Sequence, residues 1–122
     1  MRVVVQNGAQ HGLARRSVEA MAEFFPQSWS RAVKSILLCA DSAPQVHASF
    51  HAKEQTLSLY WPASPKTPAK TEALDMLLVA LAAVSETGNL PKALSAASRA
   101  AYLEAFSAVR AQCLPLLGVG VA

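Results

Sequence analysis

His47, Ser49, His51, Ser58 and Tyr60 are the residues of this chain whose types and spacing best suit chemistry. They occupy alternate positions in segments 46–51 and 56–61, which read as the two arms of one β-hairpin. A strand turns successive side chains to opposite faces, so all five are expected on the same side of it. Two imidazoles, a phenol and two hydroxyls can bind a polar ligand or move protons near neutral pH. A metal site is not expected. His47 and His51 lie roughly 13 Å apart along a strand, farther than one ion can bridge, and no Asp or Glu falls between them. An ordinary solvent-facing sheet surface shows the same alternation, so the five stand as candidate ligand-binding residues.

A second candidate is the loop Asn7-Gly8-Ala9-Gln10-His11-Gly12, which follows a short strand and opens a helix carrying Arg15 and Arg16. Free N–H groups at a helix start attract anions, so Gly8, Gly12, Arg15 and Arg16 form a candidate anion site. The loop has neither Gly-Lys-Ser/Thr nor Gly-x-Gly, and turn chemistry alone accounts for Asn-Gly. Other chemistry finds no motif. There is no Gly-x-Ser-x-Gly, and the eight acids are dispersed. Cys39 and Cys113 sit in apolar runs without a Cys-x-x-Cys spacing, and read as buried free thiols.

The elements that must position these residues follow from periodicity. Residues 2–6 read as a Val-rich strand and 13–25 as an amphipathic helix with Val18, Met21, Ala22 and Phe25 inward, ended by Pro26. Residues 32–40 read as a central strand covered on both faces. If the strands 2–6 and 32–40 are parallel neighbours, they and the helix between them form a βαβ unit. In the hairpin 46–61, a turn on Lys53-Glu54 pairs Phe50 with Leu57, Ala48 with Leu59 and Val46 with Trp61 on the apolar side. It pairs His51 with Thr56, Ser49 with Ser58 and His47 with Tyr60 on the other. Residues 67–87 form an apolar helix, with Thr67 as N-cap, Pro68 first and Gly88-Asn89 as its stop. It is greasy nearly all round, hence buried, and too short and too closely flanked by charge to span a membrane. A last helix covers residues 95–113, capped by Ser95 or Ser98.

The fold class expected is α+β: one domain over residues 1–122, with a small mixed sheet of about four strands packed on the buried helix and flanked by two others. The expected core is Val4, Val18, Met21, Phe25, Ile36, Leu38, Phe50, Leu57, Leu59, Leu77, Leu78, Leu81, Leu103 and Phe106. Over residues 32–87, a hairpin followed by a long helix is similar in layout to minimal zincin-like metallopeptidases. In that family the helix after the hairpin carries His-Glu-x-x-His. Here it reads Glu-Ala-Leu-Asp-Met-Leu-Leu-Val-Ala-Leu from Glu72, with no His. The resemblance implies a metal-free relative that has kept the scaffold and lost both ligands and the general base. It carries over no functional residue and no cofactor.

The chain is 52% hydrophobic and only 16% charged, which suits a folded domain with apolar surface left for a partner or a second copy. The tail carries no charge, and Leu116, Leu117, Val119 and Val121 are its candidate interaction residues. They either pack on the last helix or add as a strand to a sheet. Arg2, Arg15, Arg16, Arg31 and Lys34, against Glu19 and Glu23, account for the whole net charge of +3. They are scattered, so nucleic acid is not the expected partner, though weak binding by this basic third is the remaining alternative. The start has no long apolar run, so the expected location is cytoplasmic. Together these features predict a non-catalytic protein that binds another macromolecule. A small-molecule receptor or enzyme using His47, His51 and Tyr60 is the alternative.

Overall fold

The computed structural model describes residues 1–7, 11–62 and 69–118. Four strands, β1 (Arg2–Val5), β2 (Ser35–Asp41), β3 (His47–His51) and β4 (Thr56–Pro62), form one mixed sheet in the order β1-β2-β4-β3. β1, β2 and β4 are parallel and β3 runs antiparallel to β4 at the edge. The helices are α1 (Arg15–Ala22), α2 (Gln27–Ala32), α3 (Lys70–Thr87), α4 (Ala96–Ala105) and α5 (Ser107–Cys113), followed by a 3-10 turn at Leu114–Gly118. This is the expected α+β domain, and none of the helices is long and apolar enough to cross a membrane, among the described residues.

The core forms where the apolar side of the sheet meets α3. Ile36, Leu38, Leu57 and Leu59 are sealed from solvent, and so are Ala73, Leu74, Leu77 and the run from Leu78 to Val84 on the helix. A helix apolar on every side needs neighbours on every side; the sheet, α2, α4 and α5 supply them. Each fully buried Leu contributes about 1.5–3 kcal/mol, so this layer dominates stability. α3 ends at Gly88, whose left-handed φ of 77° lets its N–H reach the Val84 carbonyl at 2.8 Å. The Thr67 cap and Pro68 lie outside the described residues.

Several boundaries differ from the sequence expectation, each for a local reason. The first helix stops at Ala22, and Gln27–Ala32 forms a helix of its own. Pro26 both excludes a continuous helix and opens α2, its carbonyl accepting the Trp29 N–H at 3.0 Å. The last helix breaks at Phe106 (φ −111°, ψ 27°). There the ring turns edge-on to buried Trp29, with centroids 5.0 Å apart, and Trp29 meets Phe25 at 5.2 Å. Only Phe106 leaves the helix: its N–H still reaches the Tyr102 carbonyl and its carbonyl still accepts the Arg110 N–H, both at 3.0 Å, so the aromatic contact between α2 and the end of α4 accompanies a kink of one residue. In β1 the buried residue is Val3, not Val4, because the β1–β2 register sets Val3 beside Ile36 and Val4 beside Leu37. Leu103 is only half-buried. β2 is not covered by helices on both faces: Leu37 stays half-exposed on the side away from α3.

Candidate functional site

The hairpin pairs as its alternation predicts: His47 with Tyr60, Ala48 with Leu59, Ser49 with Ser58, Phe50 with Leu57, His51 with Thr56. The polar side chains of the uncovered face fall into two groups that share Tyr60. In the first, the His47 ring stacks flat on Tyr60, with centroids 4.4 Å apart and planes 6° from parallel. His47 Nε2–H donates to Asp41 Oδ2 at 2.7 Å, while Asp41 Oδ1 accepts the Ala43 N–H at 3.1 Å. Ser49 Oγ donates to the Tyr60 hydroxyl at 3.4 Å. Asp41 was not among the sequence candidates. Its signal is its place at the start of the turn Asp41-Ser42-Ala43-Pro44, where a carboxylate ties down the backbone two residues on.

The second group lines a shallow depression of about 340 Å³ with Gln6, Leu37, Cys39, His51, Glu54, Thr56, Ser58 and Tyr60. Ser58, expected in solvent, is only 2% exposed, because strands flank it on both sides and the larger side chains of Tyr60 and Leu37 stand beside it. Burial pushes the Cys39 thiol above its ordinary range, partly offset by its hydrogen bond with Ser58 and reinforced by the Asp41 charge. That thiol is a poor nucleophile. Asp41, His47 and Ser49 do not form a relay either, since the Ser49 hydroxyl is bonded to Tyr60 rather than to the imidazole.

The loop before α1 has a structural occupation. The Leu13 N–H donates to His11 Nδ1 at 3.0 Å, and His11 Nε2–H donates to the Leu59 carbonyl at 3.2 Å. Nδ1 must be bare to accept, so the pair of bonds selects one neutral tautomer. Burial holds the His11 pKa below 6.5, with the bond to the Leu59 carbonyl opposing. Gly12 lies under the Trp61 indole, where a Cβ would stand 2.1 Å from a ring carbon. Arg15 pairs with Glu19 at 3.0 Å on the exposed side of α1, and Arg16 is exposed. Gly8 lies outside the described residues. In the tail, Leu116 and Leu117 pack half-buried against the chain's own core, with the 3-10 turn on α1; Val119 and Val121 lie outside the described residues. Arg2, Arg31 and Lys34 are exposed.

A groove that the sequence reading missed runs beside the edge strand β3. Its first part, about 370 Å³, lies between Pro44–Ala48 on one wall and Leu90–Leu94 on the other. Its second part, about 350 Å³, continues between α3 and α4 over Val46, Met76, Val79 and Leu103. Gln45, Val46, Met76 and Arg99 line both parts, so the two are continuous. Each is at the lower end of ligand-pocket size, roughly 300–1,000 Å³. No hydrogen bond joins β3 to residues 88–94 among the described residues. Helical spacing could have hinted at this: Glu72, Asp75, Met76 and Val79 share one side of α3 with two charges and two apolar groups, and Arg99 and Leu103 share one side of α4.

Comparison with protein-family models, curated proteins and solved structures gives no match. The zinc of the resembling family finds no fit in these residues. α3 holds no His, and among the described residues no three His, Cys, Asp or Glu side chains cluster. Asp41 and His47 together offer two ligands where a protein zinc site uses three or four.

Proposed function

We propose that this is a non-catalytic cytoplasmic protein that binds another macromolecule, and that it does so by taking an extended polypeptide segment into the groove beside β3. The observation that carries this reading is the state of that edge. β3 pairs on one side only, contains no Lys, Asp, Glu or Pro, and at His47 and Ala48 borders an open groove of mixed apolar and charged lining. Exposed edge strands usually carry such residues to prevent pairing with foreign strands. An edge without them suits strand addition, in which backbone hydrogen bonds provide affinity and side pockets provide selectivity.

The test is a screen of an immobilised library of random heptapeptides, followed by amide chemical-shift mapping of the best binder. Shifts should centre on residues 45–51 and on Met76 and Leu94. Leu94 is half-buried in the groove wall and outside the core cluster. Leu94→Glu should therefore weaken binding at least tenfold while leaving the unfolding midpoint nearly unchanged. Shifts confined to the uncovered sheet face would instead support the second reading, a small polar ligand held by His47, Ser49, His51, Ser58 and Tyr60. That reading is supported by the depression and by the Asp41–His47–Tyr60 cluster.

A further inference from the structure

We infer that the segment bound in the groove is acidic, and that Arg99 selects it by pairing with an Asp or Glu next to a large apolar side chain. This inference rests on the groove reading above. Arg99 stands where the two parts of the groove meet, since it lines both. Its guanidinium has no hydrogen bond or ion pair among the described residues. Of the two carboxylates in the lining, Asp75 is already held by Arg110, through Nε at 2.6 Å and a second nitrogen at 3.5 Å. Its charge is therefore largely spent.

The remaining charges of the groove are graded along it. Lys92 lines only the β3 part and Glu72 only the part between the helices. From Lys92 through Arg99 to Glu72 the wall reads plus, plus, minus. Val46, Met76, Val79 and Leu103 form an apolar slot beside Arg99. A complementary segment carries an acid opposite Arg99 and a large apolar side chain beside it in the slot. It carries no base toward Lys92. An arginine fork prefers a carboxylate because two parallel N–H···O bonds can form.

The test uses three fluorescein-labelled peptides of one sequence, Thr-Val-Asp-Leu-Thr-Val, Thr-Val-Asn-Leu-Thr-Val and Thr-Val-Lys-Leu-Thr-Val, titrated at low and moderate salt. The Asp peptide should bind about tenfold more tightly than the Lys peptide, with the Asn peptide between, and the preference should shrink as salt rises. Arg99→Glu should reverse the order, and Arg99→Lys should keep it at reduced contrast. Arg99 is exposed, so neither variant threatens the fold. If all three peptides bind equally, or Arg99→Glu leaves their order unchanged while Leu94→Glu abolishes binding, charge selection is wrong and the groove reading stands. If none binds and no library peptide shifts the groove amides, both fail together.

Discussion

Gly12→Ala is the substitution whose consequence the structure determines most closely. A Cβ at Gly12 would lie 2.1, 2.2 and 2.6 Å from three atoms on the far edge of the Trp61 indole. Ordinary contact requires well over 3 Å, so one partner must move. Trp61 is only 9% exposed and is packed beside His11, with ring centroids 5.5 Å apart. The indole is therefore poorly placed to yield. The His11 bonds to Leu13 and Leu59 hold the loop backbone in place from the other direction. Overpacking of this kind costs about 1–3 kcal/mol. For a domain of this size that lowers Tm by roughly 4 °C per kcal/mol, hence about 4–12 °C. Urea and thermal unfolding followed by far-UV circular dichroism measure it, and a changed near-UV tryptophan spectrum should accompany it. Trp61→Phe supplies the control, because the shorter ring withdraws the atoms that would collide. In that background Gly12→Ala should cost less than about 0.5 kcal/mol, giving a coupling above about 0.5 kcal/mol in the double-mutant cycle. A neutral Gly12→Ala, or equal costs in both backgrounds, would refute the proposed contact and reopen the loop as a ligand site.

Three further outcomes follow from the same geometry. The His11 pKa is lowered in the folded protein, so the unfolded chain takes up the proton first. Its contribution to stability is full above pH 6.5 and declines as pH falls below that value, until the folded imidazole also protonates; His11→Gln should remove a slope of up to about 1.36 kcal/mol per pH unit from urea midpoints taken between pH 7.5 and 5. Asp75→Asn breaks a pair whose partners are each about a third exposed (33% and 30%), so after screening it should cost at most about 1 kcal/mol, and a cycle with Arg110→Gln should recover that coupling. Cys113 is fully buried, and burial pushes its thiol up to about 11. It should therefore ignore Ellman's reagent at pH 8 in the native state and react in denaturant; fast native labelling of Cys113 would contradict its placement.

The parts legible in the sequence are those where one local signal met no competitor. The hairpin register followed from strict alternation in both arms. The stop of α3 followed from its apolar run and Gly88, while its start came at Lys70 after an extended Ala69 rather than at Pro68 after Thr67. The parts that were not legible depend on contacts distant in sequence. Val3 and Val4 are chemically alike, and only the pairing of β1 with β2 decides which faces α3. The kink at Phe106 accompanies its contact with Trp29, far earlier in the chain. Ser58 looks exposed in an alternating strand, yet the placement of β4 between β2 and β3 buries it. Asp41 joins His47 only because β2 ends where the turn begins. The groove is assembled from three segments, 43–48, 72–79 and 90–103, none of which carries a motif, so no single stretch announces it.

Which surface a partner uses is decided by which polar groups still lack one. On the uncovered face of the sheet, much of the demand is already met internally, His51 being the exception among the described residues. Asp41 is bound by His47 and by the Ala43 N–H, Ser49 by Tyr60, and Cys39 by Ser58. A partner docking there would desolvate or break these bonds before gaining its own, and each broken bond costs about 1–3 kcal/mol if its buried partner is left unpaired. At the edge of β3 the balance is opposite. The strand offers backbone groups that no neighbouring strand satisfies, Arg99 offers a guanidinium unpaired among the described residues, and half-buried Met76 and Leu103 offer apolar surface that solvent contacts only at a cost. The other edge, β1, is shorter at four residues and begins with Arg2. Of the two faces that this sheet presents, one is closed by α3 and the other has much of its polar demand met from within. The β3 edge alone combines unmet hydrogen bonding, unmet charge and room for a chain.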